Sequence, residues 1–402
     1  AMSSGFSQTC AVDTSTRVWC WGDFPNSGSA ATGGPEFRAQ YPVDIVRARA
    51  GVESITVGSP GICIEKVSGS GACWGPNNSG QLGDGTNDEN TEYHELAGVV
   101  GLKKAVSGFS SLCYLLVNGD TRCVGANTIG QLGDGTLSSR MSFAPIHISA
   151  PALVDVVAGQ NHYCGIDGSA NLFCWGYNLN STIGNGTTTN VQTPVQISGL
   201  SSGVQQVSAF SGGTCALLNS GGVKCWGLNT YGEVGDGTVS RQSSPTDVQN
   251  LSSGVLQIAV GNQFACALTN QKKVMCWGWG YMGRLGNGGT TDSSVPVEVS
   301  GLVDVKQIAL SSSAACALLE SGKVMCWGEG GSTGDGTEIM RSTPVELTAL
   351  RGVKQISGHG DNPVICAVLE TSGVKCWGSR QYNVLQTAFR PEAPKLIFSE
   401  AY

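Results

Sequence analysis

Apolar residues along this chain come in short bursts separated by polar, glycine-rich stretches. Residues 305–347 show the arrangement well, with apolar segments at 305–310, 315–319, 323–327 and 344–347. Each segment is short, rich in β-branched residues and partly alternating, with turn residues on both sides, and this reads as a strand. No window holds a 3.6-residue apolar period bounded by caps, so helices are not predicted. The same set of four segments recurs along the chain. Short strands at regular spacing over this length predict an all-β fold of four-stranded antiparallel sheets repeated radially, a closed β-propeller.

The cysteines carry the same period. Sixteen of them fall into eight pairs: Cys10/Cys20, Cys63/Cys73, Cys113/Cys123, Cys164/Cys174, Cys215/Cys225, Cys266/Cys276, Cys316/Cys326 and Cys366/Cys376. Members of a pair stand ten positions apart, and successive pairs begin 50 to 53 positions apart. Counting inward from Cys316 and Cys326 pairs Ala317 with Met325, Leu318 with Val324 and Leu319 with Lys323, leaving the loop Glu320, Ser321 and Gly322. Three-residue hairpin loops favour glycine in the left-handed region at the last position. Gly69, Gly119, Gly221 and Gly322 stand there. The register sets the two cysteines opposite each other on the second and third strands, within reach of a disulfide. One bridge per hairpin is therefore expected, against free thiols or bridges between repeats. Disulfides on this scale belong to an oxidising compartment, so the chain is expected to be extracellular, at a cell surface or periplasmic.

Composition narrows the function. Charged residues make up 13% of the 402, about half the usual share, and the net charge is −7. No Lys/Arg cluster supplies the basic footprint that nucleic acid requires. No apolar run reaches the roughly 18 residues of a membrane span, and no signal peptide is visible. Ala1 and Met2 have the look of a cloning remnant, which leaves room for a leader, a stalk or an upstream domain.

After the second cysteine, seven repeats continue Trp-Gly, at Trp21, Trp74, Trp175, Trp226, Trp277, Trp327 and Trp377; the third has Val124. A loop follows with the pattern Asn-x-x-Gly-Gln-Leu-Gly-Asp-Gly-Thr, complete at 127–136 and nearly so at 77–86. A proline then opens the fourth strand, as at Pro145, Pro194, Pro245, Pro296 and Pro344. This pattern resembles the regulator of chromosome condensation repeat, shared with the second β-lactamase inhibitor protein, over nearly the whole chain. The resemblance implies a closed propeller whose members act as binding scaffolds. Two features depart from it. The histidine usual before the second strand survives only as His162, followed by Tyr163, and the paired cysteines are additional. A nuclear exchange factor works in a reducing compartment, so the cysteines argue against that role.

The resemblance favours seven blades and the repeat count eight. Eight hairpins and eight fourth strands can be read, with seven first strands. Eight blades in a single domain over 1–402 is the expectation, the missing strand lying before Gly5. The terminal strands are expected to share a blade, with 396–402 supplying part of it.

Candidate chemistry is sparse. Asp84, Asp134, Asp236 and Asp335 offer one carboxylate per loop, fewer than a calcium site needs, and read as turn formers. No metal or cofactor is expected. The four histidines, at 94, 147, 162 and 359, occupy unrelated positions, and no catalytic constellation emerges, so the protein does not read as an enzyme. Leu82, Leu132 and Leu285 are expected to plug each blade's own core, and the repeated Trp residues to pack between blades. Trp279 is an extra Trp, followed by Tyr281, Met282 and Arg284. Aromatic residues beside an arginine are typical interface anchors. Trp279 reads equally as filler between blades. The first and last repeats lack the Gly-Asp-Gly-Thr loop and carry Phe24, Arg380 and Tyr382 there, a departure that fits ring closure or binding.

The leading functional expectation is an extracellular or cell-surface adhesion scaffold binding a protein or glycan through its loops. It would be a monomeric ring or the tip of a larger protein. A secreted enzyme inhibitor, like the β-lactamase inhibitor, is the alternative. A guanine-nucleotide exchange or chromatin-binding factor is third.

Overall fold

The structure, a computed structural model, describes residues 101–145 and 152–358 without interruption. Outside these it describes the strands named below and the short stretches 68–70, 77–87 and 96. Every strand belongs to a four-stranded antiparallel sheet built from consecutive strands, and eight such sheets are described. Among the described residues no helix is long and apolar enough to cross a membrane.

The chain divides into two compact units. The first comprises Ala1–Leu179 and Thr187–Ser202. It opens with the sheet Met2–Ser4, Gln8–Val12, Val18–Phe24 and Phe37–Asp44. Its next three sheets begin with the strands Val52–Gly58, Leu102–Ser107 and Leu153–Ala158. The second unit comprises Asn180–Gly186 and Gly203–Tyr402. Its sheets begin with Val204–Phe210, Val255–Val260, Val305–Leu310 and Val353–Gly358. The last of them ends on Lys395–Phe398.

The terminal strands correct one expectation. The missing first strand does lie before Gly5, as Met2–Ser4, paired through Ser3 to Cys10. The C-terminal strand completes its own sheet, with Lys395 opposite Cys376, so the two termini do not share a sheet. The unpaired backbone edge beside Val374–Gly378 takes the strand nearest in sequence, which satisfies its hydrogen bonds at low loop-closure cost.

The hairpin register is the one the cysteine spacing predicts. Cys316 faces Cys326, Ala317 faces Met325 and Leu318 faces Val324. Gly322 turns at φ 75°, and Gly69, Gly119 and Gly221 hold the same region. Ala170 and Lys272 occupy that position in two other hairpins at φ 62° and 60°, conformations that glycine adopts at less cost. Disulfides join Cys113–Cys123, Cys164–Cys174, Cys215–Cys225, Cys266–Cys276 and Cys316–Cys326, each with a Cα–Cα distance of 4.1 Å. Cys10, Cys63 and Cys366 face Cys20, Cys73 and Cys376 in the same backbone register. The side chains of these last three pairs lie outside the described residues.

Successive sheets are fastened in two ways. The first is an indole. Trp226 Nε1 donates to the Thr182 carbonyl, Trp277 Nε1 to Glu233 and Trp327 Nε1 to Arg284, each at 2.9 Å, and Trp175 Nε1 reaches Gln131 at 3.2 Å. Each acceptor lies in the loop of the preceding repeat, where a glycine makes room. A Cβ on Gly286 would come within 2.8 Å of Trp327 Cδ1. The expected packing role of these residues holds, and it explains why Asn180–Gly186 groups with the second unit. Trp377 is buried likewise, but its Nε1 has no partner. It faces the shortened loop of the seventh repeat, where Gly334 lies beneath its ring.

The second fastening is an amide. Gln257 Nε2 donates to the Ile308 carbonyl at 3.0 Å, and Ile308 N donates back to Gln257 Oε1 at 3.0 Å. Gln206 makes the same pair of hydrogen bonds with Ile258, and Gln307 with Ile356. In these first strands the residue before each glutamine is bulged out of the pairing with the second strand. The extra residue turns the glutamine toward the next sheet.

The apolar core follows. Leu285 packs with Phe264, Cys266 and Cys276 of its own sheet and with Val305, Ile308 and Trp327 of the next. Leu132 does the same with Cys113, Cys123, Leu153 and Trp175. These leucines therefore join neighbouring sheets, where the sequence suggested plugs within one blade. A four-stranded sheet has apolar residues on both faces and must cover each with a neighbour.

Candidate functional site

The loop after the third strand is organised by its asparagine. Asn127 is fully buried. Its Oδ1 accepts the Leu132 N–H at 3.0 Å, while Nδ2 donates to Asp134 Oδ1 and to the Thr136 carbonyl, both at 3.0 Å. Asn77 and Asn229 repeat the arrangement. One amide thus closes the turn by standing in for missing backbone partners. The aspartates are turn formers, as expected. Asp134 Oδ1 also accepts from Thr136 N and Oγ1, and its Oδ2 pairs with Arg140. Burial alone would raise the Asp134 pKa, but the donors Thr136, Arg140 and Asn127 outweigh it and hold the carboxyl below its usual range. Asp335 is held down in the same way by Thr337 and Arg341 against burial. With the carboxylate oxygens engaged by protein donors, these loops are poor cation ligands. Among the described residues no group of three His, Cys, Asp or Glu is placed to hold a metal.

The Trp279 loop departs from this plan. Gly280 replaces the anchoring asparagine, and its N–H donates to Asp292 Oδ1 at 2.9 Å. A Cβ at Gly280 would fall on the Thr291 carbonyl, so the loop lies closer to the fourth strand than an asparagine permits. A single 3-10 turn, Tyr281–Gly283, follows, with Met282 at φ 60°.

This geometry assembles an aromatic stack. Trp279 stacks on Tyr231 at 5.2 Å between ring centroids and on Tyr281 at 5.4 Å. The Arg284 guanidinium lies 4.1 Å from the Trp279 ring centroid, a cation–π contact. Tyr281 is 50% exposed, Trp279, Met282 and Tyr231 are half-buried, and Arg284 is buried. Burial lowers the Arg284 pKa, opposed by the nearby carboxylate of Glu329. Beneath Tyr231, Glu233 Oε2 accepts the Tyr231 N–H at 2.8 Å while its Oε1 has no partner. Burial pushes the Glu233 carboxyl upward.

The structure thus brings together Trp279, Tyr281 and Arg284, with Met282 in the turn between them. It adds Tyr231 from the preceding repeat, which the sequence reading passed over. An aromatic residue standing two positions after an anchoring asparagine, where other repeats carry Ser79, Ile129 and Asn180, was the available signal. Phe24 ends the strand Val18–Phe24. Its side chain, and the residues Arg380 and Tyr382, lie outside the described residues. His162 is buried at the start of its strand, and burial lowers its pKa to about 4. Tyr163 beside it is also buried, and its hydroxyl bonds Ser111 and the Gly108 N–H on the preceding sheet.

Repeated four-stranded antiparallel sheets, locked Trp to loop, define a repeat protein of the β-propeller class. Comparison with known proteins gives the family. The regulator of chromosome condensation (RCC1) repeat matches residues 169–217, 220–268 and 273–318, and a second form of it matches four segments between 153 and 333. The chain carries RCC1 repeats across residues 153–333. It is 26% identical to the ultraviolet-B receptor UVR8 of Arabidopsis thaliana over 291 residues, covering 71% of this chain and 65% of UVR8. It is 31% identical to the human E3 ubiquitin-protein ligase HERC2 over 153 residues, covering 37% of this chain and 3% of HERC2. Among solved structures, human WBSCR16 aligns with a TM-score of 0.70 at 21% identity, over 86% of this chain and 98% of its own. Prp20p of Saccharomyces cerevisiae aligns with 0.67 at 17% identity, over 91% of this chain and 92% of its own. At these identities the likeness is one of fold.

Proposed function

We propose that this chain is a recognition scaffold that works outside the reducing cytoplasm. In this reading it is a single eight-bladed propeller that binds a protein partner through the loops following its third strands. The observation that carries the proposal is the contrast between framework and loop. The hairpins repeat the same register and disulfide in sheet after sheet. The Trp279 loop abandons the shared asparagine anchor and builds the Tyr231–Trp279–Tyr281 stack with Arg284. Sites tend to depart from scaffold rules where they act, and aromatic residues with arginine dominate binding hot spots. The bridges fit a secreted or surface-exposed protein. Prp20p, a structural neighbour, is described with binding to Gsp1p and histones, which supports protein binding as the general mode.

Two measurements test it. Disulfide mapping of protein from its natural source is expected to find all eight bridges, including Cys10–Cys20, Cys63–Cys73 and Cys366–Cys376; free thiols would place it in a reducing compartment. A partner recovered stoichiometrically from the extracellular fraction is expected to be lost with the Trp279→Ala/Tyr281→Ala double variant. Retention by that variant would move the binding surface elsewhere.

A further inference from the structure

Arg284 stands at the position held by Gln81 and Gln131 in their repeats. There the glutamine Oε1 accepts the backbone N–H two residues earlier, from Ser79 at 2.8 Å and from Ile129 at 3.1 Å. Glu233 does the same for Tyr231. Arginine has no acceptor to offer, so the turn gains nothing comparable from Arg284. The side chain is 7% exposed, its Nε has no partner, and one Nη reaches only the Asn262 carbonyl at 3.4 Å. Glu329 acts on the charge from nearby, yet no ion pair joins it to Arg284 among the described residues. A buried guanidinium with so few acceptors is unfavourable in isolation, and a carboxylate matches its planar donor fork.

We propose that this cluster selects a protein partner presenting a carboxylate side chain beside an aromatic one, the carboxylate meeting Arg284 and the aromatic ring packing against Tyr281. The proposal rests on the stack being the recognition surface. An acidic sugar is the poorer match, because Trp279 already has Tyr231, Tyr281 and Arg284 against its ring and little face left for a sugar.

The test uses the whole chain and two phage-displayed peptide libraries, one with a fixed central Asp-Phe and one with the isosteric Asn-Phe. Binders are expected from the Asp-Phe library, with at least tenfold weaker binding when their Asp is changed to Asn. Arg284→Gln is expected to abolish that discrimination while melting no lower than the wild type, because glutamine is what two other repeats carry there. Absence of binders from the Asp-Phe library, equal binding of Asp and Asn peptides, or discrimination that survives Arg284→Gln overturns the proposal. Trp279→Ala/Tyr281→Ala separates the two readings. Loss of binding without any Asp preference leaves the recognition surface intact and removes only the carboxylate, whereas unchanged binding removes the surface itself.

Discussion

The indole N–H of Trp327 ends on the Arg284 carbonyl, 2.9 Å away in the loop of the preceding repeat. The contact ties a core residue of one sheet to the backbone of the loop that carries the aromatic stack. Trp327→Phe keeps most of the buried ring and removes the N–H, so it is expected to destabilise by about 1–2 kcal/mol. Trp327→Ala, which also opens a cavity, should cost about 3–5 kcal/mol. Urea denaturation checks both, and near-equal losses would show that packing alone matters.

Gln257 replaces a backbone partner for both polar groups of Ile308. Gln257→Ala leaves an N–H and a carbonyl without that partner and is expected to lower stability by roughly 1–3 kcal/mol. Gln257→Glu keeps the acceptor and loses the donor, and should fall between. Amide hydrogen exchange at Ile308 is expected to quicken in the alanine variant.

Asn127 closes its loop from inside. Asn127→Ala is expected to cost about 2–4 kcal/mol, because several buried groups lose a partner together. Cleavage by a protease in the loop at 128–138 should rise well before global unfolding, which limited proteolysis can measure.

The disulfide at Cys316–Cys326 spans a short hairpin. In the chain-entropy picture its removal by Cys316→Ser/Cys326→Ser costs a little under ~3 kcal/mol. Melting with and without reductant should give a clear drop in Tm for the wild type and a smaller one for the variant.

His162 supplies a pH dependence. Burial lowers its folded pKa from 6.5 to about 4. As pH falls the unfolded chain takes up the proton first, so stability is full above about 6.5 and declines toward pH 4. The decline attributable to this group is about 3 kcal/mol. His162→Leu is expected to flatten the profile across that window, whatever its effect at neutral pH, and chemical denaturation at stepped pH measures the slope.

The hairpins were legible because a ten-residue spacing admits one antiparallel register, and because glycine at Gly69, Gly119, Gly221 and Gly322 marks the left-handed loop position. Met2–Ser4 was placed only by counting, since Met-Ser-Ser has no β-branched or alternating pattern of its own. The role of Gln257 could not be seen, because a polar residue in a strand reads as solvent-facing until a bulge turns it to a neighbour. Trp279, Tyr281 and Arg284 stood out as departures from the repeat. Their union with Tyr231 depends on two loops half a hundred residues apart, and neither loop carries a local signal of the other. The buried state of Arg284 was hidden too, since its contact with the Trp279 ring depends on how the loop folds and not on residue spacing.

Four indole N–H groups reach backward: Trp175 to Gln131, Trp226 to Thr182, Trp277 to Glu233 and Trp327 to Arg284. Translation therefore delivers each tryptophan after the loop that receives it. A growing chain can dock each of these tryptophans onto a loop already made, whereas the glutamine amides close only once the next sheet has been synthesised. The polarity of the indole contacts matches the direction of synthesis.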